Sequence, residues 1–194
     1  MNAREADSAQ IGRFFAAQGR RVLTFLGYSD SGYEDPSAML AHAAHALDAV
    51  DARRTLVNIG ATAGGIGAVY ELAKARGFIT TGIVSTLARD GHVPLSRFVD
   101  EVFFVVDASW GGLLPESTRL SPTSQAIVDH SDELLAIGGG PTARDELDAA
   151  LRVGKPARFI AAEMNHEAAL AAAARKGQPL PRDFRGAAGL RFGA

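Results

Sequence analysis

The sequence predicts an α/β fold, a Rossmann-like three-layer sandwich with a mainly parallel sheet in a single domain. Three observations point there. Short apolar runs alternate along the chain with segments of helical periodicity. The runs are apolar almost throughout, as strands are when helices cover both faces of a parallel sheet. The length of 194 residues, with 47% hydrophobic and 22% charged residues, suits one domain with a substantial core.

Each element follows from its local pattern. Residues 22–26 (VLTFL) form a partly β-branched run that ends at Gly27, the first strand of this reading. Residues 35–50 carry Leu40, Ala43, Leu47 and Val50 at helical spacing, with Asp35 or Ser37 available as cap. Residues 55–59 read as the second strand, 66–76 as a helix and 78–84 as the third strand. Residues 101–106 (EVFFVV) are the fourth strand, followed by a Gly/Pro-containing loop over 107–122. A helix over 124–130, a fifth strand over 133–137, a helix over 142–152 and a sixth strand over 156–161 continue the alternation. An Ala-rich helix over 165–176 closes the core, which spans residues 21–176. The tail, residues 177–194, is rich in Gly, Pro and Arg and reads as irregular.

Composition removes several function classes. A formal net charge of −2 gives no global reason to expect nucleic acid or an anionic membrane as partner. There is no cysteine, which excludes disulfides and Cys-based zinc, iron–sulfur or thiol chemistry. No metal and no cofactor is expected. Residues 1–21 mix both charge signs and lack a signal-peptide core, and no segment approaches the roughly 20 apolar residues of a membrane span. The expected location is cytoplasmic.

In open α/β sheets, ligands bind beyond the carboxyl ends of the strands. Four such ends stand out. Gly27, Tyr28 and Ser29 follow the first predicted strand, and Gly60, Thr62, Gly64, Gly65 and Gly67 follow the second. Asp107, Ser109, Trp110, Gly111 and Gly112 follow the fourth; Gly138, Gly139, Gly140 and Thr142 follow the fifth. Glycine-dense turns serve tight turning and close helix–strand packing. They also let backbone amides and a helix N-terminus approach an anion. Two such clusters at strand ends, with Ser29, Thr62 and Thr142 as supplementary donors, favour a phosphate or nucleotide site. Pro141 suits a first helical turn, so Arg144, Asp145 and Glu146 fall in the opening turns of that helix. An acid there can complement the helix dipole, or bind ribose hydroxyls and act at a sugar C1 centre. Trp110 can stack on a base or anchor a loop.

Other short motifs carry less. Tyr70 and Lys74 spell YxxxK, but within the glycine loop's own helix, and no acid follows residues 78–84 to hold an adenosine ribose. Gly27-Tyr28-Ser29-Asp30-Ser31 misses the last glycine of a hydrolase elbow. His42 and His45 have no third ligand, and His166 beside Asn165 reads as a helix start.

The pairing of a GG-containing strand–helix turn with a later GGG…E turn resembles the LOG-like family, formerly "lysine decarboxylase-like". That family belongs to a Rossmann-like superfamily with molybdenum-cofactor carrier proteins and DprA/Smf-type domains. The resemblance spans residues 21–160. Against the family motif PGGxGTxxE, Gly139 and Gly140 match the glycines and Glu146 the acid. Gly138 replaces the proline, Thr142 the third glycine and Ala143 the threonine. Arg119, upstream of Ser131-Asp132, stands nearest to the family's Arg, with Leu120 where a Lys follows it. The resemblance implies a homodimer that hydrolyses the N-glycosidic bond of a nucleoside monophosphate, with Glu146 and Arg119 catalytic. The alternative is a non-catalytic carrier or sensor of a nucleotide or pterin-type cofactor: the substitutions at Thr142 and Ala143 favour it, and the retained Glu146 favours the hydrolase. The partner expected in both cases is a phosphorylated small molecule, most simply a nucleotide.

Overall fold

A computed structural model describes residues 1–175 and 177–193. The chain folds as a single α/β domain around a seven-stranded sheet in which every strand pairing is parallel. The elements run β1 (Asn2–Glu5), α1 (Ser8–Gln18), β2 (Arg21–Gly27), α2 (Pro36–Asp48) and β3 (Thr55–Ile59). A 3-10 turn (Gly65–Ala68) then leads into α3 (Val69–Ala75), β4 (Ile79–Ser85), α4 (Thr86–Asp90) and β5 (Glu101–Val105). The remaining elements are α5 (Pro122–His130), β6 (Glu133–Ile137), α6 (Pro141–Arg152), β7 (Ala157–Ile160), α7 (His166–Arg175) and α8 (Gly186–Phe192).

The sheet order is β1-β5-β4-β3-β2-β6-β7. From β2 the chain steps outward through β3, β4 and β5, then returns to the other side of β2 for β6 and β7. The order therefore reverses at the β2/β6 boundary, where ligands bind in such sheets.

The predicted first strand is the second in the structure. Before it, β1 pairs with β5 at the sheet edge, and its four residues are all exposed. Nothing apolar marks so short an edge strand. It is held by the main chain, Asn2 N–H donating to Asp100 O and Ala6 N–H to Phe104 O, and by an Arg4–Glu101 ion pair of 2.6 Å. Helix α1 follows, closed by a capping box between Asp7 and Gln10. The segment predicted as one helix over 66–76 opens as a 3-10 turn. Within the tail read as irregular, residues 186–192 are helical. Lys176, at the predicted helix end, and Ala194 lie outside the described residues.

Alternating strand residues point into two apolar layers. Leu23, Phe25, Val57 and Ile59 pack with Met39, Leu47 and Tyr70 on the α2/α3 side. Val22, Leu26, Leu56 and Ile83 pack with Ile11, Phe15, Ile127 and Leu147 on the α1/α5/α6 side. A polar row interrupts this second layer. Thr24, Asn58 and Thr81 stand opposite one another on β2, β3 and β4, all fully buried. Thr81 Oγ1 donates to Asn58 Oδ1 (3.1 Å), Asn58 Nδ2 to Thr24 Oγ1 (3.3 Å), and Thr24 Oγ1 shares a 2.6 Å hydrogen bond with Ser131 Oγ.

Candidate functional site

A cavity of about 360 Å³ opens at the carboxyl ends of β2, β3 and β4, beside the reversal point and the first turns of α5 and α6. Its walls are mostly apolar: Phe25, Leu26, Ile59, Ile66, Ile83, Val84, Val93 and Ile127. Polar groups enter from Thr24, Ser29, Asp30, Thr62, Ser85, Thr123, Thr142 and Glu146. Among the described residues, none that lines the cavity is Arg, Lys or His. That combination of apolar walls and a few convergent polar groups is typical of small-molecule sites.

Glu146 is the chemically distinctive member. It sits in the second turn of α6, only 3% exposed. Ser124 Oγ, from the first turn of α5, donates to Glu146 Oε1 at 2.6 Å. Burial pushes the carboxyl up to about 8; the Ser124 hydrogen bond opposes this and the neighbouring Asp145 charge adds to it. At neutral pH the group is a protonated acid, able to donate as well as accept.

The loop after β5 is tied down around the same groups. Burial alone would raise the Asp107 carboxyl, but the Thr123 and Ser109 amides that donate to it hold it below its ordinary value. Gly112 N–H donates to Ser124 Oγ at 2.7 Å, so one hydroxyl serves both the loop and Glu146. Leu113 N–H donates to Asp145 Oδ2, and Asp145 Oδ1 takes both Nε and Nη2 of Arg144. Gly111 runs past this cluster at φ +106°, where a Cβ would stand 2.9 Å from both Ser124 Oγ and Thr142 Cγ2. A side chain there would push the loop off α5 and α6. Trp110, one residue earlier, lines the cavity and remains 56% exposed.

Of the residues singled out by sequence, the structure brings Gly27, Ser29, Gly60, Thr62, Thr142 and Glu146 to the cavity. Others serve packing. Tyr28 is buried, and its hydroxyl donates to Arg185 O (2.7 Å) and Ala162 O (3.2 Å). Gly65 (φ +55°) lies against the Tyr28 and Ser29 carbonyls, where no Cβ fits, between Gly64 and Gly67 of the same turn. The Ile66 and Gly67 amides are engaged by Tyr28 O and Gly64 O. Gly138, Gly139 and Gly140 form the turn into α6 without lining the cavity. Arg119 is exposed in the loop before α5, and it too is absent from the lining.

Ser124 and the Leu113 amide are supports of the cavity wall that no sequence motif announces, and Asp145 and Gly112, named from the sequence, gain a contact there that it did not show. Their roles depend on α5, α6 and the 107–121 loop meeting in space. The discounted motifs have structural jobs: Tyr70 Oη donates to Thr81 O and accepts from Ala61 N–H, while Lys74 pairs with Asp100 at 2.8 Å. His42 and His45 are exposed, and among the described residues no cluster of metal-ligating side chains occurs. Asn165 Oδ1 accepts from Ala168 N–H at the start of α7, the capping role expected there. Among the described residues, no helix is long and apolar enough to cross a membrane.

No protein-family model and no curated protein matches the chain. Solved structures do. A molybdenum cofactor carrier protein from Chlamydomonas reinhardtii is 20% identical, over 72% of this chain and 76% of that one, with a TM-score of 0.52. The molybdenum cofactor binding protein of the phototrophic bacterium Rippkaea orientalis is 17% identical over the same shares, with a TM-score of 0.52. A second Chlamydomonas reinhardtii carrier structure is 18% identical over 81% of this chain and 85% of that one, at 0.50. At these identities the likeness is one of fold alone.

Proposed function

We propose that this chain is a non-catalytic carrier or sensor that binds a nucleotide or pterin-type cofactor in the cavity beside Glu146. The observation that carries the reading is the lining itself: a largely apolar cavity at the sheet's reversal point, with a protonated Glu146 and, among the described residues, no cationic side chain. A flat heterocycle with a polar edge suits those walls. A phosphate would be met there only by neutral donors, chiefly Thr142 and the opening amides of α6. The fold shared with molybdenum cofactor carrier and binding proteins supports the same direction.

Membership of the LOG-like group, a cytoplasmic location, a homodimer and a single nucleotide-binding domain belong to this proposal. So do Gly27, Ser29, Gly60, Thr62 and Thr142 as ligand-facing residues. A second reading, hydrolysis of the N-glycosidic bond of a nucleoside monophosphate, draws on Glu146 standing at the cavity in the motif's acidic position. Two features weigh against it. A protonated carboxyl does not stabilise an oxocarbenium at C1 as a carboxylate would. The exposed Arg119 would also have to travel to reach a bound phosphate.

The two readings separate in one experiment. The protein is titrated calorimetrically with AMP, GMP, CMP, UMP and a pterin, and each nucleotide incubation is assayed for free base. Binding of at least one ring compound without base release is the expected outcome. Base release that Glu146→Gln abolishes would establish the hydrolase instead.

A further inference from the structure

We propose that Trp110 is the recognition residue of the cavity, stacking its indole over a bicyclic nitrogen heterocycle, a purine or a pterin, and selecting the ring over the phosphate-bearing sugar. This deepens the binding reading above and rests on it.

Three observations converge. Trp110 is a large aromatic side chain that is more than half exposed yet lines the cavity, a costly placement for a residue with a purely structural task. The chain on both sides of it is fixed. Ser109 N–H and Oγ donate to Asp107 Oδ1, Gly112 N–H donates to Ser124 Oγ, and Leu113 N–H donates to Asp145 Oδ2. The indole is thus carried on an anchored base, so a ring arriving beneath it does not have to order the loop. Finally, the described lining residues supply no cation for a phosphate but do supply aliphatic side chains from Ile66, Ile83 and Val93 for a flat apolar face. Glu146, beyond Gly111, offers a neutral carboxyl to the ring's polar edge, where N–H donors and ring-nitrogen acceptors lie side by side. Sequence-tolerant stacking combined with one polar edge contact is the usual way to hold such rings.

Trp110 is the only tryptophan in the chain, which makes the test direct. Wild type, Trp110→Phe and Trp110→Ala are titrated calorimetrically with GMP, neopterin and ribose 5-phosphate, and the tryptophan emission of wild type is followed with GMP. At an exposed position neither substitution should move Tm, which serves as the folding control. Expected are binding of a ring compound, a loss of about tenfold in Trp110→Ala, within the range for one stacked base, and Trp110→Phe within about threefold of wild type. Emission should change on GMP addition, and ribose 5-phosphate should bind at least tenfold more weakly. A ring compound that binds wild type and Trp110→Ala alike, with unchanged emission, overturns the stacking role and leaves the cavity reading standing. Ribose 5-phosphate binding as tightly as GMP overturns it too, because the phosphate would then be what is recognised. If neither GMP nor neopterin binds wild type, this inference and the binding reading fall together.

Discussion

Glu146 and Ser124 show how much one buried pair can set. In the fold the Glu146 carboxyl keeps its proton until about pH 8, whereas in the unfolded chain it loses it near 4.5. Between those values the folded chain binds more protons, so the associated stability is complete below the lower value and is lost as pH rises through the upper one. Glu146→Gln, which stays neutral and can still accept from Ser124, should flatten that decline. At pH 8 the variant should be more stable than wild type by on the order of a few kcal/mol. Melting temperatures from pH 5 to 8.5 check this; parallel curves for the two proteins would mean that the carboxyl is ionised in the fold. The sequence pointed to Glu146 through the GGG…E turn. It could not point to Ser124, an unremarkable residue of α5 that becomes its partner only when two helix starts converge.

At the scale of elements, the turn between β6 and α6 illustrates what a glycine run is for. Gly139 adopts φ +129°, and a Cβ there would stand 2.5 Å from the Ala143 side chain. Gly139 O also accepts from Ala188 N–H, so the turn carries α8 on its outer side. Gly139→Ala should therefore cost about 1–3 kcal/mol from the backbone conformation alone. Urea denaturation is the measurement, and a midpoint equal to wild type would show that the turn relaxes freely. The strands were legible because burial on both faces leaves apolar runs, and residues 55–59 and 133–137 were placed to the residue. Elements without that signature were not. Strand β1 is exposed throughout, α4 has only five residues, and α8 lies in a stretch whose Gly, Pro and Arg content argues for a loop.

At the scale of the whole molecule, the cavity and Glu146 lie at one end of the sheet, where the chain order reverses. Reading strand ends led to the same end of the sheet, and five of the residues proposed as ligand-facing, with Glu146, line the cavity. Gly65 and Gly67 press against the Tyr28 and Thr62 carbonyls, and nothing in a glycine-rich string tells a ligand's approach from a neighbouring carbonyl's. Apolar strands leave a related ambiguity inside the sheet. With both faces buried, a strand displaced by two residues would still put apolar side chains on each side, so hydrophobicity alone specifies alignment weakly. The buried row of Thr24, Asn58 and Thr81 removes that degeneracy. Any slip of β3 would carry the Asn58 amide away from both partners and leave it unpaired in an apolar layer. Thr24→Val, which keeps the shape but removes one partner, should cost about 1–3 kcal/mol in denaturant unfolding; an unchanged midpoint would mean the row contributes nothing. The row acts as a key cut across three strands, admitting one alignment and thereby fixing where the strand ends, and the cavity they frame, fall relative to one another.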